Sequence, residues 1–148
     1  MKIYIGADHR GFELKEKVKV WLTDWGHECS DEGAYQLNPD DDYTAFAAKV
    51  AIRVSEGNAM GILICGSGVG VDITANKFDG AKASIGKNAK QIEAGRADDN
   101  MNVLVIASDF TSEKEARTML KAFLETEYVD SSSHERRLRD IEKIEKIN

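Results

Sequence analysis

The sequence predicts a single α/β domain, in which a doubly wound parallel sheet is covered by helices on both faces. Two observations lead to this fold class. Short, nearly continuous apolar runs are typical of strands buried on both faces, and between them apolar residues recur at helical spacing. In addition, 148 residues is the size of one ordinary domain. We therefore expect one three-layer α/β/α domain over residues 1–148.

The first half of the chain predicts two strands and two helices. In order, they are a strand over 3–7, a helix from Phe12 to Trp25, a weak strand over 28–31 and a helix from Tyr43 to Glu56. Gly26 and the pair Gly57-Asn58 follow the two helices, where C-terminal caps belong. A polar loop over 35–42 separates the weak strand from the second helix.

The second half continues the alternation and ends in a charged tail. It predicts strands at Met60 to Cys65, near Ala81 to Ile85 and at Asn102 to Ala107, with helices at about Gly70 to Lys77, near Ala89 to Arg96 and at Ser112 to Thr126. In the helical tail, about 134–147, Leu138, Ile141, Ile144 and Ile147 form one apolar stripe. This stripe needs cover, either from the chain's own domain or, as we favour, from a second subunit.

Composition and charge exclude several classes of partner. With 42% hydrophobic and 31% charged residues, the chain is predicted to be globular and soluble. Its formal charge of −6 argues against nucleic acid as a partner. No run approaches the roughly 20 apolar residues that span a bilayer, and the N-terminus lacks a signal-peptide pattern, so we expect no membrane association and a cytoplasmic location. Cys29 and Cys65 are then expected to be free thiols.

Polar residues follow three predicted strands at the edge of the sheet where α/β proteins bind ligands. They are Asp8-His9, the segment 65–72 and the segment 107–109. The loop over 66–70, GSGVG, leads into a helix, so unpaired backbone N–H groups and the positive helix end could meet an anion. Its G-x-G-x-G spacing after the third strand is not the dinucleotide fingerprint, and it lacks the P-loop lysine. We therefore expect a site for a small anion.

Cys65 ends a buried strand directly before those N–H groups. We expect the helix terminus to lower the pKa of its thiol towards neutrality, which would allow the thiolate to act as a base. The alternative is that the cysteine only fills the core, as free cysteines often do. For Cys29, which has no glycine loop beside it, this structural interpretation is favoured.

His9 is the histidine best suited to chemistry, because it follows a strand at the same edge. Asp8 beside it could orient the ring and fix its tautomer. The alternative is an ordinary surface histidine. His27, beside a helix end, is expected to be a capping or surface residue.

Three segments resemble the family of ribose-5-phosphate isomerase B and galactose-6-phosphate isomerase. They are ADHRGFELKE (7–16), DDYTAFAAKVA (41–51) and ILICGSGVGVDITANK (62–77). The order of strands, the length and the charged tail agree over nearly the whole chain. The resemblance implies a Rossmann-like domain that forms a dimer or tetramer with a site shared between subunits. It also implies aldose–ketose isomerisation of a sugar or sugar phosphate, without a metal or an organic cofactor.

By this resemblance, Cys65 would move a proton between two carbons of the sugar through an enediolate. The loop around it would hold the enediolate oxygen with backbone N–H groups. The loop residues assigned to this catalytic or substrate-binding role are Gly66, Ser67, Gly68, Val69 and Gly70.

The resemblance also assigns substrate contacts outside the glycine loop. Asp8, His9 and Tyr43 would bind the sugar or open its ring. Asp99 and Arg137 would bind substrate as well. Asp98 stands where ribose-type members carry the ring-opening histidine, and we include it among the catalytic residues.

The second half departs from the family's pattern at such positions. Ribose-type members read R-E-H-N-D-A-N-V where this chain has RADDNMNV over 96–103, and a carboxylate at position 98 accepts a proton at neutral pH more readily than it donates one. Two phosphate-binding arginines of the family are replaced by Asp109 and Ser133, whereas Arg137 matches a third. A carboxylate about 4 Å from a phosphate charge would cost on the order of 4 kcal/mol at an effective dielectric constant of 20. That is roughly a thousandfold in affinity.

These departures leave three hypotheses. The chain could be one subunit of a two-chain enzyme, as in the galactose-6-phosphate branch, with a paralogue supplying missing residues. It could act alone on a sugar with a different tail, including an unphosphorylated one. It could also be a non-catalytic sugar-binding protein. We favour an isomerase acting on a pentose or hexose or its phosphate.

Overall fold

The computed structural model describes residues 1–148. Strands and helices alternate along the chain until a final pair of helices, which confirms the predicted α/β class. The elements are β1 (Lys2–Ala7), α1 (Phe12–Asp24), β2 (Cys29–Asp31), α2 (Tyr43–Ser55), β3 (Ala59–Cys65), α3 (Val69–Ala75), β4 (Ala83–Ile85), α4 (Ala89–Asp99), β5 (Val103–Ala107), α5 (Glu113–Glu125) and α6 (Ser132–Ile147). None of the helices is both long and apolar enough to cross a membrane.

The five strands form one parallel sheet in the order β2-β1-β3-β5-β4. β1, β3 and β5 are therefore neighbours in its centre. Ala7 pairs with Ile64, and Cys65 pairs with Ala107, so these three strands end side by side. Since parallel strands share one carboxyl edge, the three polar segments predicted from the sequence meet there.

The core has two layers, one on each face of the sheet. A cluster of 18 buried residues packs α1 and α5 on one face, and a cluster of 11 packs α2 and α3 on the other. Along β3, Ile62 and Ile64 belong to the first cluster, whereas Leu63 and Cys65 belong to the second. The two-residue period of a strand therefore directs the Cys65 side chain towards α2 and α3.

Most elements begin and end within two residues of the predicted boundaries, and two of the differences have a clear structural cause. β4 begins at Ala83 because Asn102 binds the preceding turn, its Oδ1 accepting from Lys82 N–H at 2.7 Å and its amide donating to the Gly80 carbonyl at 2.8 Å. α4 runs three residues past Arg96, to Asp99, and ends where Asn100 adopts a left-handed conformation with φ of 49°. Asp98 and Asp99 consequently lie on a helix.

A buried ion pair joins α1 to β2. Lys15, whose side chain is fully buried, donates to Asp31 at 2.6 Å, and Lys19 contacts the same carboxylate at 2.7 Å. Glu16 lies 3.1 Å from Lys15. Burial by itself would raise the pKa of Asp31, but the hydrogen bonds from the two lysines outweigh it and hold that pKa below its ordinary value.

The predicted C-terminal helix is present as α6, and it has no buried residue. It contacts α4 of its own chain, and Glu145 at its end accepts a hydrogen bond from Gly80 N–H at 2.8 Å. The stripe stays partly uncovered, with Ile144 and Ile147 exposed. Its packing on a second subunit stays a prediction.

Candidate active site

Backbone hydrogen bonds hold the loops after β3 and β5 together at the carboxyl edge. Ser108 N–H donates to the Cys65 carbonyl at 2.9 Å, and Asp109 N–H donates to the Gly66 carbonyl at 3.0 Å. The Ser108 hydroxyl lies 2.9 Å from the Arg10 carbonyl oxygen and 3.0 Å from that of Cys65. The loops after β1, β3 and β5 therefore form one connected surface around Cys65.

The three glycines of the GSGVG loop are required for different reasons. Gly68 has a φ of 77°, which a residue with a side chain rarely adopts. A Cβ on Gly70 would lie 2.5 Å from Cζ of Tyr43, and a Cβ on Gly66 would collide with the Arg10 guanidinium. The missing side chains at Gly70 and Gly66 thus allow Tyr43 and Arg10 to lie directly against the backbone of the loop.

The predicted direction of the Cys65 pKa is wrong. Burial is the largest effect and raises the pKa of the thiol, and the negative charge of Asp8 adds to it. The amides of Val71, Gly68 and Gly70 act in the opposite direction, with Gly68 N–H 3.2 Å from the sulfur, but they do not compensate. The thiol therefore carries its proton at neutral pH.

Two of the N–H groups expected to hold an enediolate are already occupied. Gly68 N–H donates to the sulfur of Cys65, and Val69 N–H donates to Ser67 Oγ at 3.2 Å. The N–H of Ser67 itself makes no hydrogen bond within the chain. It is therefore available to receive a developing negative charge.

His9 is oriented by Asp41 and not, as expected from the sequence, by Asp8. Oδ1 of Asp41 lies 2.7 Å from His9 Nδ1 and also accepts the His9 backbone N–H at 3.0 Å. The Asp8 carboxylate instead accepts the N–H groups of Arg10 and Gly11, at 3.0 and 3.1 Å. Sequence reasoning missed Asp41 because it lies within a run of three aspartates, and only the fold shows which of them meets His9.

Asp8, His9 and Asp41 are also the residues that could hold a metal ion, because their ligand atoms lie within 4.8 Å of one another. Oδ1 of Asp8 already accepts two backbone N–H groups, and Oδ1 of Asp41 accepts both donors of His9. The other oxygen of Asp41 is buried without a partner. As folded, the cluster is a hydrogen-bonding network that fixes the orientation of His9.

Asp109 does not present an uncompensated negative charge. Its carboxylate forms an ion pair with Arg10 across the glycine loop, so the repulsion of a phosphate expected from the sequence is offset by a neighbouring cation. Sequence reasoning missed Arg10. The signal that could have found it is a guanidinium directly after Asp8-His9, at the start of the same loop.

Three of the predicted site residues lie at the other edge of the sheet. α4 starts beyond the carboxyl end of β4 and ends just before the amino end of β5, whereas Cys65 pairs with Ala107 at the carboxyl end of β5. Eleven helical residues span about 16 Å. Within one chain, Asp98 and Asp99 are therefore not brought to Cys65.

Asp98, Asp99 and Arg137 are exposed around the α4–α6 contact. Nε2 of His134 on α6 lies 3.7 Å from Asp98 Oδ1. Asp99 lines a cleft of about 380 Å³ together with Ile141. These side chains are accessible to a second molecule, but they do not contact the Cys65 loop of their own chain.

Comparisons with known proteins agree with this architecture. Residues 3–141 match the model of the Ribose/Galactose Isomerase family. The ribose-5-phosphate isomerase B of Escherichia coli is 35% identical over 145 positions, which cover 97% of this chain and 96% of the relative. That of Mycolicibacterium paratuberculosis is 33% identical, covering 100% of this chain and 94% of the relative.

Solved structures give the same result in three dimensions. Ribose-5-phosphate isomerase B from Mycoplasma genitalium with bound ribulose-5-phosphate superposes with a TM-score of 0.94 at 34% identity, covering 99% of this chain and 97% of the other. The Clostridium thermocellum ribose-5-phosphate isomerase B gives 0.94 at 33% identity, covering 99% of both chains.

Proposed function

The chain belongs to the ribose/galactose isomerase family and is an aldose–ketose isomerase of sugar phosphates, and from this premise we propose that it interconverts ribose 5-phosphate and ribulose 5-phosphate. Relatives matched over nearly their whole length are named for the first sugar, and the M. genitalium structure contains the second. The observation that carries the proposal is the buried Cys65 sulfur in contact with the amides of the glycine loop.

In this mechanism the Cys65 thiolate is the base. In the aldose-to-ketose direction it takes the proton from C2 of the open-chain sugar; the C–H electron pair forms the C1–C2 double bond, and the carbonyl electrons move to O1. The proton on O2 passes to O1, C2 becomes the carbonyl carbon, and the thiol returns its proton to C1. Because burial raises the thiol pKa, the thiolate is a stronger base for taking the proton from C2, and the proton then stays on the sulfur until C1 receives it.

The enediolate needs a donor, and the free N–H of Ser67 is our assignment for it. The Ser67 hydroxyl is exposed and can both accept and donate, so it is our choice for passing the proton from O2 to O1. His9 and Tyr43, beside the loop, would contact the sugar hydroxyls. All of these roles are assigned to residues at the carboxyl edge of the sheet within one chain.

Asp98, Asp99 and Arg137 would enter the site from a second copy of the chain. In their own chain they lie at the opposite edge of the sheet, and their exposure leaves them available to another subunit. Asp98 would then accept the hydroxyl proton of the closed sugar during ring opening. A homodimer with sites shared between its subunits meets these requirements.

Proton NMR in deuterated water tests the function directly. The purified chain would be incubated with ribose 5-phosphate, galactose 6-phosphate, allose 6-phosphate and the unphosphorylated sugars, and exchange at the carbon next to the carbonyl would be followed. We expect exchange to be fastest with ribose 5-phosphate and to disappear in Cys65→Ala. Calorimetric binding of the sugar by Cys65→Ala would show that the site is still folded.

Other outcomes would contradict the proposal in distinct ways. Exchange that persists in Cys65→Ala would remove the thiol as the base. Faster exchange with another sugar would overturn the substrate. Binding without exchange in the wild type would favour a non-catalytic protein, and activity gained only with a paralogous chain would favour a two-chain enzyme.

A further inference from the structure

We propose that Arg10, held in position by Asp109, receives the anionic group of the substrate and gives the enzyme its preference for phosphorylated over unphosphorylated sugars. This inference rests on the proposed function, because it assigns the charged end of the same substrate. It concerns a residue that the sequence analysis did not include in the site.

The location of Arg10 is the first argument. Its guanidinium lies against Gly66, directly after the residue that would transfer the proton. The backbone of Arg10 is also held close to the end of β3, because the Ser108 hydroxyl lies within hydrogen-bonding distance of both the Arg10 and the Cys65 carbonyl oxygens. A sugar whose reacting carbons lie at Cys65 therefore has Arg10 beside it.

Charge is the second argument. Among the loops that follow β1, β3 and β5, Arg10 carries the only permanent positive charge, whereas Asp8 and Asp109 are acidic. A cleft of about 290 Å³ borders the Arg10–Asp109 pair, and the other cation in its wall, Lys17, forms an ion pair with Glu113. A phosphate bound at this edge of the chain has Arg10 as its available cation.

The geometry of the ion pair is the third argument. Asp109 engages only Nη2 of Arg10, so most of the five N–H donors of the guanidinium are left for a phosphate, which they fit in a planar, forked arrangement. The Arg10 side chain is 56% exposed, so a ligand can reach it from solvent. Asp109 N–H is itself bonded to the Gly66 carbonyl at 3.0 Å, which fixes the backbone of the residue that orients the guanidinium.

The test compares each phosphorylated sugar with the same sugar lacking phosphate. In Arg10→Gln we expect KM for the phosphorylated sugar to rise by about 10- to 100-fold, with little change in kcat and no change for the unphosphorylated sugar. Arg10→Lys, which keeps the charge without the fork, should lie between. Lys17→Gln is the matched control, because it removes a neighbouring cation that is paired elsewhere.

A second variant separates charge from folding. The double variant Arg10→Gln/Asp109→Arg moves the guanidinium from the loop after β1 to the loop after β5. We expect it to recover at least part of the lost affinity for the phosphorylated sugar. Inorganic phosphate, measured as an inhibitor and by calorimetry, should bind wild type and Lys17→Gln alike and Arg10→Gln more weakly.

Failure of this inference differs from failure of the proposed function. Equal KM changes for both kinds of sugar, or an Arg10→Gln variant that behaves like Lys17→Gln, would overturn the role of Arg10 while leaving the isomerase intact. If the wild type shows no exchange with any sugar, the isomerase proposal fails. The calorimetric comparison of inorganic phosphate binding then still decides whether Arg10 is the anion receptor.

Discussion

His9 Nδ1 lies 2.7 Å from Asp41 Oδ1, although the two residues are 32 positions apart in the chain. An ionised carboxylate can only accept, so the hydrogen of the ring is held on Nδ1 and Nε2 is left for the substrate. The contact therefore joins the loop between β1 and α1 to the start of α2, and it determines which ring nitrogen of His9 faces the sugar.

Asp41→Asn should release this orientation. We expect a fall in kcat/KM of about 10-fold and a mixture of ring tautomers in place of one, read from the nitrogen chemical shifts of the imidazole. Asp40→Asn, which removes an exposed neighbouring carboxylate, is the matched control and should leave both readouts unchanged. A single tautomer in Asp41→Asn would show that Asp41 is not the orienting group.

The Cys65 thiol should titrate above the range of an ordinary cysteine, because burial raises its pKa and Asp8 adds to the effect. In a Cys29→Ser background, ultraviolet absorbance of the thiolate against pH measures this directly. Since only the thiolate is the base, kcat/KM should rise with pH through neutrality and keep rising beyond about pH 8.5. Asp8→Asn should move the absorbance titration to lower pH; a titration below neutrality in the Cys29→Ser protein would contradict the expected direction.

Gly70→Ala should displace the Tyr43 ring, because the added Cβ would lie 2.5 Å from its Cζ. Tyr43 is 41% exposed, so the ring can move and stability should change by less than about 1 kcal/mol. We expect kcat/KM to fall by about 10-fold. If displacement of the ring is the whole cause, Gly70→Ala will have no further effect in a Tyr43→Ala background, and an additive loss would point to the loop backbone instead.

Asp31→Asn should destabilise the protein by about 3 kcal/mol at pH 7, because it removes a carboxylate partner of the buried Lys15. The native pKa of Asp31 is lowered, so its stabilising contribution is present above the pKa of the unfolded carboxyl and is lost as the pH falls through the native value. Urea unfolding of the wild type should therefore show a steeper loss of stability below about pH 4 than Asp31→Asn does. Asp79→Asn, at an exposed carboxylate without a partner, should follow the wild-type curve.

Mixing two impaired variants tests whether sites are shared between subunits. Cys65→Ala and Arg137→Gln damage opposite halves of the proposed site, so a refolded equimolar mixture should regain about a quarter of the wild-type sites through its mixed dimers. Cys65→Ala mixed with His9→Ala damages the same half twice and should regain nothing. Equal recovery in both mixtures would contradict the shared site.

The periodicity of the chain determined most of the fold in advance. The buried strands β1, β3 and β5 stand out as short apolar runs between helical patterns, and the residues that follow them had to meet at one edge once those strands were neighbours. The end of α4 was missed because Asp98, Asp99 and Asn100 are poor helix formers, and here the left-handed cap at Asn100 decides the boundary.

The pKa of Cys65 and the charged partners of His9 and Asp109 could not be predicted from periodicity. The pKa of Cys65 depends on a competition between burial and three backbone amides, and the sequence gives no measure of either. The partners of His9 and Asp109 come from distant parts of the chain, and each was one of several charged residues that could have been chosen. Only the fold selects Asp41 and Arg10.

The position of the site in the sheet has a consequence for local unfolding. β1, β3 and β5 each have hydrogen-bonded neighbours on both sides, whereas β2 and β4 are three-residue strands at the two edges. Amide hydrogens of the edges should exchange through partial openings that need little free energy, and those of the central strands only when the whole domain unfolds. Cys65 and its glycine loop are attached to the slowest-exchanging part of the molecule, so the borders of the sheet can open and close without the reacting groups losing their alignment.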